Sequence, residues 1–209
     1  MVIKEKNDKK ILKVRCDKAG VEKAAKIIKD GGIAIFPTDT VYGIGCDPYN
    51  KESVEKIFKI KSRDISKSLP VLTYSIKTAE KIVHFDKFTK KVVEKFWPGQ
   101  LTVILKVNDD EIKKSLNLDD KIALRVPNHQ CTLELLKKCD FLVGTSANIS
   151  GNASTQNPEE CLKNIQDYDV FLDGGIITSD GESTIIEIEN ETIKIIREGA
   201  LTKEEVLKV

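Results

Sequence analysis

Short apolar runs alternate with amphipathic stretches along the whole chain. Ile11–Arg15 alternates apolar and polar residues as a half-buried strand does, and Ile33–Phe36 is a continuous apolar run typical of a buried strand. Between these two strands, the apolar residues after Asp17 recur every three or four positions until Gly31 and Gly32. This spacing predicts a helix that Asp17 caps at its start and the glycines terminate.

The same alternation of strand and helix patterns continues to the end of the chain. Further strands are predicted at Leu69–Thr73, Leu101–Val107, Ile122–Val126, Phe141–Val143, Asp169–Leu172, Thr184–Glu189 and Thr192–Arg197. Helices are predicted at about 51–61, from Ser75, Asp86 and Asn157, from Asn128 to about Lys138, and after Thr202, which forms a capping box with Glu205. A hairpin at 184–197 needs antiparallel strands, whereas helical crossovers join parallel ones, so a mixed sheet in an α/β sandwich is predicted. Since no linker or repeat interrupts the pattern, residues 1–209 are predicted to form one continuous domain.

Charge and hydropathy exclude two classes of protein. The chain has 34 basic and 33 acidic side chains, a formal charge of +1, so bulk electrostatic capture of a polyanion is not its expected main activity. The opening residues 1–10 are charged, and no apolar run approaches the ~20 residues that cross a bilayer. We therefore expect neither a signal peptide nor a membrane span, and a cytoplasmic location.

Cysteine and histidine usage gives no motif for metal binding or thiol exchange. Five cysteines are scattered without a Cys-x-x-Cys pair, at Cys16, Cys46, Cys131, Cys139 and Cys161. They are expected to be reduced thiols that pack as small buried side chains. With only two histidines, no protein metal site is predicted, although Mg²⁺ carried by phosphates would need none.

Arginine is rare in this lysine-rich chain: only four of the 34 basic residues are arginines, Arg15, Arg63, Arg125 and Arg197. A guanidinium is a rigid fork that fits phosphate and carboxylate, whereas lysine is a hydrated point charge. Each arginine is therefore a candidate for a site that needs the bidentate guanidinium. The alternative is that the arginines reflect compositional drift and have no such role.

Three loops gather hydroxyl, amide, glycine and charged residues beside apolar elements, where they could converge on a ligand: Pro37–Gly45, Lys61–Lys67 and Thr145–Gly151. The first could equally be a strained turn without a ligand, and the lysines of the second could simply complement a helix dipole. No dinucleotide fingerprint, Walker lysine or hydrolase nucleophile elbow accompanies them.

Seven motifs nevertheless resemble, in order, the set of the YrdC-type threonylcarbamoyl-AMP synthases. They are 37–45 (PTDTVYGIG), Lys61-x-Arg63, Trp97-Pro98-Gly99-x-Leu101-Thr102, Leu124-Arg125-Val126-Pro127, Ser146-x-Asn148-x-Ser150-Gly151, Ser183-Thr184-Ile185-Ile186 and Arg197-x-Gly199-Ala200. The resemblance implies a twisted, open mixed sheet flanked by helices around a large cationic cleft. It also implies that L-threonine, bicarbonate or CO2, and ATP are converted to threonylcarbamoyl adenylate and pyrophosphate, with Mg²⁺ on the phosphates.

The resemblance also assigns site residues. Thr38, Arg125 and Ser183 would contact threonine. The ATP side would be formed by Lys61, Arg63, Ser146, Asn148, Ser154 and Arg197, of which the first four would carry catalysis. A separate transferase complex would then move the threonylcarbamoyl group to the adenine beside the anticodon in certain tRNAs, with at most weak tRNA contact by this chain.

The chain departs from the family pattern at Asp64, where proline usually follows Lys-x-Arg, and at Leu72, where some members have histidine. His129 is expected to pack or to start a helix. Loops 145–155 and 174–183 are candidate lids over a water-sensitive carbamate. Alternative interpretations are a non-catalytic RNA-binding module, a sugar-phosphate enzyme on the fold of dihydroxybutanone-phosphate synthase, and a carbamoyl-phosphate-using relative from hydrogenase maturation.

Overall fold

The computed structural model describes residues 2–3 and 11–209. The strands are β1 (Val2–Ile3), β2 (Ile11–Arg15), β3 (Ala34–Pro37), β4 (Tyr42–Gly45), β5 (Val71–Thr73), β6 (Leu101–Lys106), β7 (Lys121–Arg125), β8 (Phe141–Val143), β9 (Thr145–Ser146), β10 (Val170–Asp173), β11 (Thr184–Glu189) and β12 (Thr192–Arg197). The helices are α1 (Lys18–Lys29), α2 (Lys51–Ile60), α3 (Ile76–Ala79), α4 (Lys87–Phe96), α5 (Asp110–Ser115), α6 (Gln130–Cys139), α7 (Pro158–Asn164) and α8 (Lys203–Leu207).

The strands form two six-stranded sheets. The first has the order β1-β2-β10-β3-β4-β9, and the second has the order β12-β11-β6-β7-β5-β8. Both sheets mix parallel and antiparallel pairs: β10 is parallel to β2 and β3, whereas β3 and β4 are antiparallel. In the second sheet β11 is parallel to β6 and antiparallel to β12. The predicted mixed α/β class is confirmed, with the strands divided over two sheets.

Local capping signals account for most helix starts. The Asp17 carboxylate accepts the N–H of Gly20 at the start of α1, and Asn157 does the same for Glu159 in α7, as predicted. Both halves of the Thr202–Glu205 capping box form at α8. Helix α6 begins two residues later than predicted, with His129 in the N-cap position but without a side-chain capping bond. His129 therefore has the expected helix-start position.

Two hydrophobic clusters pack the helices and the two sheets together. One cluster places the apolar faces of α1 and α6 over the first sheet, through Val21, Ile28 and Leu135. The other joins the two sheets, with Ile44 on one side and Leu124 on the other. The sheets approach tightly at Gly45, where a Cβ atom would collide with the carbonyl of Val143.

The segment 37–45 was expected to be a loop, but its second half is strand β4. Tyr42–Gly45 pairs with β3 on one side and β9 on the other, so it lies inside the first sheet. Two glycines in four residues argue against a strand from sequence, since glycine weakens isolated strands. Partners on both sides and the tight approach to Val143 reverse that preference.

The expectation that all five cysteines are free thiols is wrong for two of them. Cys16 and Cys131 form a disulfide with a Cα–Cα distance of 5.4 Å, whereas Cys46, Cys139 and Cys161 are free. The pairing joins the end of β2 to the start of α6, which are 115 residues apart in the chain. Separately, no helix among the described residues is both long and apolar enough to cross a bilayer.

Candidate functional site

A cleft with a volume of about 330 Å³ opens between the two sheets. The first sheet and the loop after β3 contribute Phe36, Thr38, Gly43 and Ser146, and the second sheet contributes Leu72, Thr102, Arg125, Ile185 and Arg197. Seven hydroxyl-bearing residues line it: Thr38, Thr40, Thr102, Thr145, Ser146, Ser150 and Ser183. Among the described residues, its basic lining residues are Lys61, Arg63, Lys67, Arg125 and Arg197, and Glu182 is the one acidic lining residue. Such a surface suits a polar ligand with negative groups.

The loop between β3 and β4 is fixed by its own hydroxyl groups. Thr38 Oγ1 donates to the carbonyl of Val41 at 2.7 Å and lies 2.9 Å from Thr40 Oγ1. It also accepts the backbone N–H groups of Thr40 and Val41. From α6, the Thr132 hydroxyl donates to the carbonyl of Pro37. The Thr38 side chain therefore maintains the loop conformation as well as lining the cleft.

Arg125 is held by three different partners around its guanidinium. Nε donates to the Gly99 carbonyl at 2.8 Å, Nη1 to Thr40 Oγ1 at 3.0 Å, and Nη2 to Asp39 Oδ1 at 2.6 Å. Burial lowers the pKa of Arg125, while the nearby Asp39 carboxylate opposes that effect. The side chain stays charged, because arginine does not deprotonate in proteins. Asp39 and Gly99 thus orient this guanidinium at the cleft.

Lys61 is almost completely buried, with 1% of its surface exposed. Its ammonium donates to the Ser146 carbonyl at 2.5 Å, the Asn148 carbonyl at 2.7 Å and Asn148 Oδ1 at 3.1 Å. Three acceptors match the three N–H donors of an ammonium group. Burial, and then the proximity of Arg63, lower the pKa of Lys61 to about 8, whereas Glu182 acts in the opposite direction. Lys61 therefore secures the 146–148 loop as well as adding charge to the cleft.

Asn148 is the centre of that loop. Its Oδ1 accepts from Ser146 Oγ at 2.7 Å as well as from Lys61, and its Nδ2 donates to the Asn152 carbonyl at 2.5 Å. The Ser150 hydroxyl, in contrast, is buried and has no hydrogen-bond partner. A buried hydroxyl without a partner beside a cleft is a candidate ligand contact.

Arg63 lies on the segment that follows α2. Its Nε donates to the Lys67 carbonyl at 3.1 Å and its Nη2 to the Ser68 carbonyl at 2.9 Å, so it folds back on its own loop. Burial lowers the pKa of Arg63. The neighbouring Asp64 is exposed and accepts the N–H of Ser66. The Asp64 carboxylate is thereby used in a local turn.

Ser183 and Arg197 form a second hydrogen-bonded group on the wall of the second sheet. Ser183 Oγ lies 2.9 Å from Thr102 Oγ1, and Arg197 Nη2 donates to the Ser183 carbonyl at 2.7 Å. Arg197 Nη1 forms an ion pair with Glu182. Both arginines of this wall, Arg125 and Arg197, therefore have a carboxylate partner.

Eight of the nine residues that the resemblance assigned to the site line this one cleft. The exception is Ser154, which lines a neighbouring pocket with Val41, Ile176 and Ser179. The cleft also includes polar residues that the sequence assignment did not contain. Thr40, Thr102 and Ser150 belong to motifs quoted above, so motif membership could have identified them. Lys67, Thr145 and Glu182 lie outside the motifs and carried no such signal.

Comparison with known proteins places the sequence in a family. The Sua5/YciO/YrdC family model, described as telomere recombination, matches residues 26–199. A putative threonylcarbamoyl-AMP synthase from Methanocaldococcus jannaschii is 36% identical over 180 residues, covering 84% of this chain and 84% of the relative. The threonylcarbamoyl-AMP synthase of Bacillus subtilis is 28% identical over 190 residues, covering 89% of this chain and 55% of the relative.

Solved structures show the same fold. Sua5 of P. abyssi in complex with L-threonine superposes with a TM-score of 0.85 at 29% identity over 95% of this chain. YciO of E. coli superposes with a TM-score of 0.81 at 22% identity, which bears on the fold alone. The chain spans 60% of the Sua5 structure and 96% of YciO. Since the family model covers most of the sequence, this chain belongs to the Sua5/YciO/YrdC family.

Proposed function

We propose that this protein is an L-threonylcarbamoyladenylate synthase. It would use L-threonine, bicarbonate or CO2, and ATP, and it would release pyrophosphate. The observation that carries the proposal is the one cleft that eight of the nine assigned site residues line. The synthase names of its relatives and the threonine-bound Sua5 structure support the choice of substrates.

The chemistry needs no nucleophile from the protein. The threonine amine, once deprotonated, adds to CO2 and forms a carbamate. A carbamate oxygen then attacks the α-phosphorus of ATP, and the bond from that phosphorus to the bridging oxygen breaks as pyrophosphate leaves. The reaction is a nucleotidyl transfer, in which positioning and stabilisation of charge lower the barrier.

Threonine recognition centres on Arg125 in this proposal. Three of its five N–H donors are used by Gly99, Thr40 and Asp39, which leaves one on each Nη atom for the substrate carboxylate. Because those partners already fix the guanidinium, little side-chain entropy is lost on binding. Thr38 and Ser183 line the same cleft and would orient the rest of the amino acid.

The ATP phosphates would meet the other cations. Arg63 and Arg197 supply charge to the cleft, and Lys61 adds charge while it holds the loop that carries Ser146 and Asn148. Ser154 remains a proposed ATP contact from the family resemblance alone. The one lining carboxylate, Glu182, is paired with Arg197, so the donor set does not form a magnesium site made of protein oxygens. Mg²⁺ would enter on the ATP phosphates.

The product is an activated mixed anhydride, and it would be consumed by a separate threonylcarbamoyl transferase complex that modifies tRNA beside the anticodon. Contact between this chain and tRNA would be weak, in keeping with its formal charge of +1. We place the reaction in the cytoplasm, where ATP and tRNA are available.

The test is an omission experiment on the purified protein with ATP, Mg²⁺, bicarbonate and L-threonine. Pyrophosphate release should require both threonine and bicarbonate, because their adduct is the nucleophile. Equal turnover without threonine would identify an ordinary ATPase instead. Salt-dependent tRNA binding with no ATP turnover would favour the RNA-binding module.

A further inference from the structure

Two glutamines outside the assigned site connect two segments of the cleft. Gln100 Nε2 donates to the Asp39 carbonyl at 3.0 Å and to Ser179 Oγ at 3.3 Å. Gln156 Nε2 lies 3.4 Å from the Thr40 carbonyl and donates to the Ser179 carbonyl at 2.7 Å. Each amide therefore joins the loop between β3 and β4 to the same residue of the segment 174–183.

The segment 174–183 is bonded to the rest of the fold at its start as well. Tyr42 Oη accepts the N–H of Gly174 at 3.1 Å and donates to the Gly175 carbonyl at 2.8 Å. The N–H of Ile177 donates to the Gln156 carbonyl at 3.0 Å. The segment is thus bonded to β4 at its start and to Gln156 at Ile177.

Between Ser179 and the cleft the backbone has little intrinsic stiffness. Gly181 has a φ of +139°, and no atom lies within 4 Å of the position a Cβ would occupy there. Its N–H and carbonyl are both bonded to Ser179 Oγ. Since glycine at such a φ has no steric preference to restrain it, the backbone around Ser179 depends on hydrogen bonds for its position. Ser183, in contrast, is held separately by Thr102 and Arg197.

A glutamine side chain can link the segment 174–183 to the β3–β4 loop because one NH2 group can donate to two acceptors on different segments. Gln100 is also tied by its backbone, since its carbonyl accepts the N–H of Thr184 at 3.0 Å. It therefore contacts the segment at both Ser179 and the residue after Ser183. Gln100 occupies the unspecified position of the Trp97–Thr102 motif, and Gln156 lies outside every motif, so neither was assigned a role.

We propose that Gln100 and Gln156 are positioning residues for the threonine half of the cleft. Through Ser179 they hold the segment 174–183 against Asp39 and Thr40, whose side chains bond the guanidinium of Arg125. The consequence for catalysis rests on the proposed synthase function. The structural part, that these two amides hold the segment 174–183 in place, is testable without turnover.

The test replaces each glutamine by methionine, which keeps the length of the side chain and removes its donors. We expect Gln100→Met with Gln156→Met to raise the KM for L-threonine about tenfold, since two or more hydrogen bonds are lost. The KM for ATP should stay within about twofold of its wild-type value. Gln166→Met, a change of the same kind at an exposed glutamine, is the matched control and should change neither.

Hydrogen exchange measured by mass spectrometry provides a readout independent of activity. Peptides that cover 174–183 should exchange faster in the double variant, while peptides from β6 and β7 should not change. The single Gln100→Met variant should show a smaller increase in exchange over the same peptides. If the double variant folds poorly, the single variant replaces it in this measurement.

Unchanged exchange over 174–183 would refute the bridge itself. Equal increases in both KM values, or a threonine KM within twofold of wild type, would refute the assignment to the threonine half. If wild-type protein shows no threonine-dependent pyrophosphate release, the proposed function fails, and the exchange data alone then decide whether the bridge exists.

Discussion

At the scale of single residues, Lys61 combines two properties that usually conflict. It is buried, which disfavours its charge, yet three oxygen acceptors surround its ammonium. Its pKa falls from 10.5 to about 8, so the folded protein releases this proton at lower pH than the unfolded chain does. The group therefore makes the folded state relatively more stable as pH rises from about 8 towards 10.5, and it is charged in the cleft only below about 8.

We predict from this that ATP binding weakens as pH rises through about 8. The neutral amine has two N–H donors for three acceptors, and the cleft loses one positive charge, so the Kd for ATP should rise about tenfold between pH 7 and 9.5. Calorimetric titration at several pH values measures it. The Lys61→Met protein should bind ATP weakly at every pH. The control Lys59→Met changes an exposed lysine in the last turn of α2, two residues before Lys61, and should keep the wild-type midpoint. A midpoint that persists in Lys61→Met would assign the titration to another group.

Arg125 and Arg63 should respond differently when each is replaced by lysine. Arg125→Lys keeps the charge but cannot reach Gly99, Thr40 and Asp39 together, so the KM for threonine should rise roughly ten- to a hundredfold. The free energy of unfolding should also fall by about 2 kcal/mol, because the buried Asp39 carboxylate is left with a poorer partner. Arg63→Lys should instead raise the KM for ATP. Substrate titrations and urea unfolding of both variants measure these effects. If Arg125→Lys raised the KM for ATP and left the KM for threonine unchanged, the assignment of Arg125 to threonine would be wrong.

At the scale of helices and strands, prediction from sequence succeeded where the signal is local. The hairpin of β11 and β12 and the capped starts of α1, α7 and α8 follow from residues within a few positions of one another. Strand β4 was missed because its stability comes from β3, β9 and the approach of Val143, which are distant in sequence. Helix α5 was missed because four of its six residues are charged and its apolar face is one residue wide.

The same distinction applies to the site. Motif residues could be assigned from the resemblance, but the partners that hold them could not. Most of these contacts join residues more than 60 positions apart in the sequence: Asp39 with Arg125, Thr102 with Ser183, and Gln100 with Asp39 and Ser179. The contact of Gln156 with Ser179 spans 23 positions. The Cys16–Cys131 pair, separated by 115 residues and lacking any spacing motif, belongs to the same class.

The Cys16–Cys131 disulfide should contribute measurably to stability. It joins the end of β2 to the start of α6, whose Thr132 hydroxyl donates to the carbonyl of Pro37 at the start of the β3–β4 loop. A cross-link across a loop of this length stabilises typically by about 2–4 kcal/mol. Urea unfolding with and without dithiothreitol measures the difference, and Cys16→Ser should make the protein insensitive to the reductant. If dithiothreitol has no effect on the wild-type protein, the two sulfurs are not bonded in solution.

At the scale of the whole molecule, the cleft lies between two sheets and is lined by residues of both. The first sheet supplies the β3–β4 loop and Ser146, the second supplies Arg125 and Arg197, and a shared apolar cluster lies behind them. A ligand in the cleft therefore contacts both walls at once. The unfolding of either sheet would release it, so binding should couple the stability of the two.

We therefore predict that ligand binding raises the melting temperature of both sheets together. At L-threonine concentrations of 100 times its Kd, linkage gives about 2.7 kcal/mol, which corresponds to roughly 5–11 °C for a chain of this size. Circular dichroism reports on the whole fold, and the fluorescence of Trp97, the single tryptophan, reports on the end of α4 beside the second sheet. Both midpoints should rise equally with L-threonine and stay unchanged with D-threonine at the same concentration. If the midpoint from circular dichroism rose and the midpoint from Trp97 fluorescence did not, the ligand would contact the first sheet only, and the second sheet would not form a wall of the binding site.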